Sequence, residues 1–159
     1  MSLPPDLMNP AETERSLPDL SHQTYGTMRR IVDKLSVNVC SAILPDGYYG
    51  FYDETRQLIL IDRRMTYRRK KCTLVHELVH WSHADTTCTG PYGSKCERRA
   101  RYETALRLIN PAEYATVEQI YEGEQFHMAD ELDVTPEIID DYRHILHDTT
   151  TGTGSLWLG

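Results

Sequence analysis

Five residues in the middle of the chain, His76-Glu77-Leu78-Val79-His80, carry two imidazoles four positions apart with a carboxylate beside the first. On a helix such residues share a face, with Cβ atoms about 5–6 Å apart, so each ring can bring a nitrogen to about 2.0–2.1 Å from one zinc ion. Glu77 is one step round from His76 and is not a ligand in that geometry. It stands beside the metal, where its carboxylate can take a proton from a metal-activated water and pass it to a leaving amine. Three fixed letters occur by chance in roughly 2% of chains with this size and His and Glu content, and two histidines on the wetter edge of an amphipathic helix are the plain alternative. A third donor is therefore needed. Glu97, 17 residues past His80, opens a second helical segment after a glycine-containing loop and can return its carboxylate to the same metal. Two histidines, one glutamate and an open fourth position make a hydrolytic zinc site. Glu103 competes for the place; it lies about 240° further round a helix, so the two cannot face one metal together.

The surrounding sequence must supply the two helices and something to hold them. Tyr25, Met28, Val32 and Leu35 recur at helical spacing, with Ser21 as a cap and Leu20 ahead of it as a staple, which predicts a first helix from Ser21 to about Leu35. The alternation of Val37, Val39, Ser41 and Ile43, the aromatic run Tyr48 to Tyr52 and the apolar run Leu58 to Ile61 read as a small antiparallel sheet ending near Asp62. Leu74, Val75, Leu78 and Val79 then form a continuous apolar stripe, so the helix of the two histidines packs into the core. Asp85 to Ser94, with Gly90, Pro91 and Gly93, reads as loop, and the helix KCERRARYETALRLI stops at Asn110-Pro111. Asn110-Pro111 and Thr135-Pro136-Glu137 are start signals for two further helices, so the carboxyl half is all helical. The Pro- and acid-rich residues 1–17 and the small, polar residues 149–159 read as flexible tails flanking one domain over 18–148.

Bulk properties narrow the classes. The chain has 159 residues, a formal net charge of -7, a pI near 5.4 and 40% hydrophobic with 26% charged residues, a globular composition for one domain. No window approaches the roughly 18–20 consecutive apolar residues of a membrane span, and no secretory leader is legible, which reads as a cytoplasmic chain. Cys40, Cys72, Cys88 and Cys96 include no C-x-x-C pair and read as reduced thiols; Cys88 and Cys96 bracket the loop between the ligand helices, but C-x7-C is a weak pattern. The acidic balance argues against direct nucleic-acid binding. That holds for the helix-turn-helix-like stretch MADELDVTPEIIDDYRHIL too: residues 112–148 carry eleven acids against one Arg, so it is expected to pack and not to read DNA.

Taken together, the elements resemble the ImmA/IrrE family of metallo-endopeptidases, found on phages and integrating elements and in some stress regulators. The resemblance is carried by the strand Ile59-Leu60-Ile61-Asp62, by Thr73-Leu74-Val75-His76-Glu77, by Glu97-Arg98-Arg99-Ala100 with Ala105-Leu106-Arg107-Leu108-Ile109, and by the ending Met128 to Pro136. It implies an α+β fold: a small antiparallel sheet packed on a helical zincin-like core, followed by a helical C-terminal part. It also implies one Zn2+ held by His76, His80 and Glu97, with Glu77 as general base. One position departs from the pattern. Four residues after Glu97, where similar proteins commonly have Asp or Asn, stands Arg101. An acid at that place supports a ligand histidine, so another group must do so here, and Asp62 and Asp85 are the candidates. His83 stands where metzincins have Gly, which disfavours a three-histidine site.

The resemblance implies a protein substrate, a transcriptional repressor of a phage or mobile element, cut at a peptide bond by a cytoplasmic, gluzincin-like zinc endopeptidase. The alternative is a zinc-containing module that sequesters a repressor or other partner without cutting it. The basic run from Arg63 to Lys71 could recruit an acidic partner, though such runs are more often solvated faces. Tyr67, Tyr102, His127, His144 and His147 are candidate donors to the oxyanion of a tetrahedral intermediate.

Overall fold

The structure, a computed structural model, describes residues 15–86 and 90–150, the side chains of 90–93 excepted. Residues 1–14 and 151–159 of the expected tails lie outside the described residues. Arg15, in the first expected tail, is held by two bonds from its guanidinium to Glu54 (2.9 and 3.1 Å).

The order of elements is α1 (Tyr25–Val32), β1 (Asn38–Ala42), β2 (Gly50–Asp53), β3 (Leu58–Asp62), α2 (Tyr67–Ser82), α3 (Gly90–Leu108), α4 (Pro111–Ile120), α5 (Gln125–Leu132) and α6 (Pro136–Thr150). It is an α+β fold. Helix α1 starts later than the periodicity predicts, because Thr24 and not Ser21 is the cap: its Oγ1 accepts from the Thr27 N–H (3.2 Å), while Ser21 is bonded to Asp19. Helix α3 starts earlier, at Gly90, inside the segment read as loop. Asn110 caps α4 as expected, its Oδ1 accepting from the N–H groups of Ala112 and Glu113 (2.9 and 3.1 Å).

The sheet is mixed where a purely antiparallel one was expected. Its order is β1-β3-β2, with β2 antiparallel and β1 parallel to β3. The short turn over 54–57 makes β2 and β3 a hairpin, so β1 takes the other edge of β3 and the 43–49 connection must pass over the end of β3. Asp62 pins that crossing: its carboxylate accepts from the Leu44 N–H (3.1 Å) and pairs with Arg64 (2.6 Å). The Arg64 guanidinium and the two main-chain N–H donors hold the Asp62 carboxyl well below the ordinary carboxylate range.

Helix α2 is a wall shared by two cores. Leu74, Val75, Leu78 and Trp81 pack with Met28 and Val32 of α1 and Ile59 and Ile61 of β3. On the other side Cys72 joins a second cluster with Ala105, Met128, Ile139 and Tyr142 from the later helices. The apolar stripe thus predicts the burial of this helix correctly.

Much of the basic run, which ends in the first turns of α2, is paired within the molecule. Arg68 pairs with Asp130 (2.5 Å) and Asp133 (3.1 Å), Arg69 with Glu137 (3.2 Å) and Lys71 with Asp133 (2.6 Å). Lys71 is buried, and Asp133 sits in the left-handed region (φ 53°) at the end of α5. The acidic helix-turn-helix-like segment therefore packs, as its charge requires, and its carboxylates clamp the start of α2.

Candidate metal centre

Helix α2 delivers His76 and His80 one turn apart because Thr66 caps its start, Oγ1 accepting from the Arg69 N–H (3.3 Å), and no Gly or Pro interrupts it before Ser82. Their rings lie edge to face with centroids 4.9 Å apart, and the two Nε2 atoms approach to 3.2 Å. Glu97, on the second turn of α3, completes the triangle: one carboxylate oxygen is 2.9 Å from His76 Nε2 and the other 3.2 Å from His80 Nε2. Donors placed about 2.0–2.1 Å from one tetrahedral ion stand about 3.3 Å from one another, so the 3.2 Å between the two Nε2 atoms fits a shared zinc ion, and one Glu97 oxygen turned to it would leave a coordination position. Glu103 is turned away to His83 (2.7 Å), as the helical angle requires.

The chemistry of the donors makes the same point. His80 Nδ1 lies 2.8 Å from Asp85 Oδ2, so in the neutral ring it carries the proton and Nε2 presents a lone pair to a carboxylate oxygen and to the other imidazole. Nε2 of His76 and of His80 and a Glu97 oxygen converge on one point, where a cation can be held by all three. Without a metal a proton supplies it: burial works against the charged ring, but Asp85 and Glu97 outweigh it and hold His80 up at about 9. Glu97 is held well below the ordinary range by its bonds to the two imidazoles. Arg99 of α3 grips the other oxygen of Asp85 (2.6 Å). Of the two candidates for supporting a ligand histidine, Asp85 is the one in contact, while Asp62 serves the sheet.

Glu77 is buried beside the triad and lines the same cleft. Burial pushes its carboxyl up, against the pull of His76 and His80, and a carboxyl raised in this way can exchange a proton closer to neutral pH. Its position depends on Gly50 of β2, where a Cβ would stand 2.6 Å from Thr73 Cγ2 and 3.0 Å from Glu77 Cγ. In the sequence the one local signal at Gly50 is its place inside an aromatic strand.

The cleft holds about 580 Å3, with β2 and the loop before it as one wall and α2, α3 and α6 as the other. Tyr49 bonds β3 through its carbonyl, accepting from the Asp62 N–H (2.9 Å). By the alternation of an antiparallel ladder, Gly50 and Tyr52 turn their main-chain groups to the open edge. None of Tyr67, Tyr102, His127, His144 and His147 lines this cleft, so the structure does not bring these candidate oxyanion donors to it. Arg101 does line it, one turn beyond Glu97, paired with Asp141 (2.6 Å).

The cysteines depart from the expectation of four thiols. Cys40 and Cys72 are free, but Cys96 is disulfide-bonded; Cys88 lies outside the described residues. Cys96 also approaches His80 and Asp85, yet a disulfide sulfur is no thiolate, so those three make no second metal site. Among the described residues no helix is long and apolar enough to cross a membrane.

A search of the curated proteins and one of the solved structures return no significant match. The family model for the IrrE N-terminal-like domain, Peptidase_M78, matches residues 32–141, from the end of α1 through Asp141 and so across the sheet and both helices of the converging donors. The chain belongs to this metallopeptidase family.

Proposed function

We propose that the protein is a zinc-dependent endopeptidase in which His76, His80 and Glu97 hold the metal and Glu77 is the general base. The observation that carries this reading is the convergence of His76, His80 and Glu97 ligand atoms within reach of one ion, with a buried carboxylate beside them in an open cleft. When bound, zinc supplies Lewis-acid polarisation of the scissile carbonyl and lowers the pKa of a water. The residues do the rest. Extended substrate pairs with the open edge of β2 through Gly50 and Tyr52, which fixes its main chain across the cleft. Glu77 accepts a proton from the attacking water at a carboxylate oxygen and returns it to the leaving nitrogen. Asp85 keeps the His80 tautomer with Nε2 free, and Arg99 keeps Asp85 in place. By family likeness the substrate is a transcriptional repressor of a phage or mobile element, and the setting is cytoplasmic.

The test is to incubate the zinc-loaded chain with candidate repressors, with and without chelator, and to look for fragments by mass spectrometry. Glu77→Gln keeps the shape and the zinc ligands but cannot accept the proton, so zinc content should stay near one per chain while cleavage falls at least about a hundredfold. Fragments that persist at the wild-type rate in Glu77→Gln would refute the mechanism.

A further inference from the structure

We infer that Arg101 makes the cleft selective for a carboxylate on the substrate, the side chain of a Glu or Asp next to the scissile bond. This rests on the peptidase reading and adds what that peptidase selects. Arg101 is one helical turn from Glu97 on the same face of α3, so its Cβ is about 5–6 Å from that of a proposed metal ligand and both line the cleft. Its Nε and Nη2 donate to the two oxygens of Asp141 (3.3 and 2.6 Å). Asp141 is buried and is its partner among the described residues. A guanidinium carries five N–H donors in a rigid fork, and this pairing uses only the Nε–Nη2 edge. The Nη1–Nη2 edge stays open, with the side chain 53% exposed on the cleft wall. A second carboxylate can dock there in the same bidentate manner while Asp141 holds the plane of the fork still. Cys72, Thr104 and Thr135 of the cleft lining are small and uncharged, and Glu97 and Asp141 are the carboxylates that act on Arg101. The other arginine of the cleft, Arg69, has Glu137 as its partner and stacks its guanidinium on the Tyr49 ring (4.8 Å), so it is less available.

The experiment uses the full zinc-loaded chain and two random peptide pools that differ only in a fixed central Glu or Gln. Every peptide is made in two forms, with a free and with an amidated carboxyl terminus. Cleaved bonds are sequenced by mass spectrometry, and binding of the same pools is measured on Glu77→Gln protein, which turns them over at least about a hundredfold more slowly. Wild type should cut the Glu pool at least tenfold faster, with Glu enriched at one position beside the cut, and binding should show the same preference. In Arg101→Gln the preference should fall to about one, and more through KM than kcat. Because that variant strands buried Asp141, Arg101→Gln/Asp141→Asn removes both charges and should lose the preference equally. Equal use of the two pools by wild type, or a preference that survives both variants, overturns the inference. A preference confined to free carboxyl termini overturns the side-chain assignment in favour of a terminal carboxylate. If wild type cuts nothing but Glu77→Gln binds the Glu pool through Arg101, the peptidase reading fails and the carboxylate site stands.

Discussion

Replacing Gly50 by Ala tests whether β2 sets the place of Glu77. The new Cβ would stand 2.6 Å from Thr73 Cγ2, against about 3.5–4.0 Å for carbon atoms at rest, so roughly 1 Å must be found. Helix α2 has little to give, since Leu74, Val75 and Leu78 are fully buried in the core with α1 and the sheet. Overpacking of this kind costs about 1–3 kcal/mol. For a chain of this size each kcal/mol is about 2–4 °C, so Gly50→Ala should melt roughly 2–12 °C lower. Thr73→Ser removes the Cγ2 methyl and with it the worst contact, leaving those at 3.0 and 3.1 Å to Glu77. The double variant should therefore recover most of the lost stability but not the full cleavage rate, because Glu77 is still pushed. Circular-dichroism melts of the four proteins at one fixed zinc concentration measure this. If Gly50→Ala melts within about 1 °C of wild type, or Thr73→Ser recovers nothing, β2 does not set the position of Glu77 as argued.

Further expectations concern the groups around the triad. Asp85→Asn loses the negative charge and one of the two oxygens that accept from His80 and Arg99, and zinc affinity measured by chelator competition should fall about 10- to 100-fold; unchanged affinity would remove Asp85 from the centre. His80, held protonated to about 9 in the metal-free chain, must release that proton on loading, so zinc affinity should rise about tenfold per pH unit between pH 7 and 8, and a flat profile would contradict this. By the same shift, the stability His80 lends the metal-free chain is complete below about 6.5, its unfolded value, and fades as pH rises towards 9. Asp133→Asn leaves the buried Lys71 ammonium without its carboxylate and should cost about 1–3 kcal/mol in chemical denaturation. Burial alone would raise the Asp133 carboxyl, but Lys71 and Arg68 outweigh it and hold it low, so this contribution should persist above about pH 4 and disappear in more acid solution.

The helix of His76 and His80 was legible because both of its signals are local: a four-residue spacing of the two histidines, and an apolar stripe that buries one face. Glu97 was legible as a donor on a returning helix, and the helix starts at Asn110 and Pro136 followed from cap residues alone. Long-range pairing was not legible. Nothing near β1 says that it lies parallel to β3, since that follows from which edge the hairpin leaves open. The basic run looked solvated because its partners, Asp130, Asp133 and Glu137, are more than sixty residues away. Tyr67 and the three histidines were plausible as oxyanion donors by residue type, and only the path of the chain keeps them from the cleft lining. Arg101 looked like the loss of a supporting acid, whereas Asp85 takes that role from the loop after α2.

The crossing of the 43–49 segment over the end of β3 has a consequence for entropy. Strand β2 is an edge, and exposed edges usually fray or recruit unwanted neighbours. This one is only four residues long and is fastened at both ends, by the 54–57 turn to β3 and by the crossing that Asp62 pins. Its conformation is thus fixed before anything pairs with it. An incoming strand has to order itself alone, and the roughly 1–2 kcal/mol per residue that a loose edge would lose on pairing, about 4–8 kcal/mol over β2, has already been met by folding.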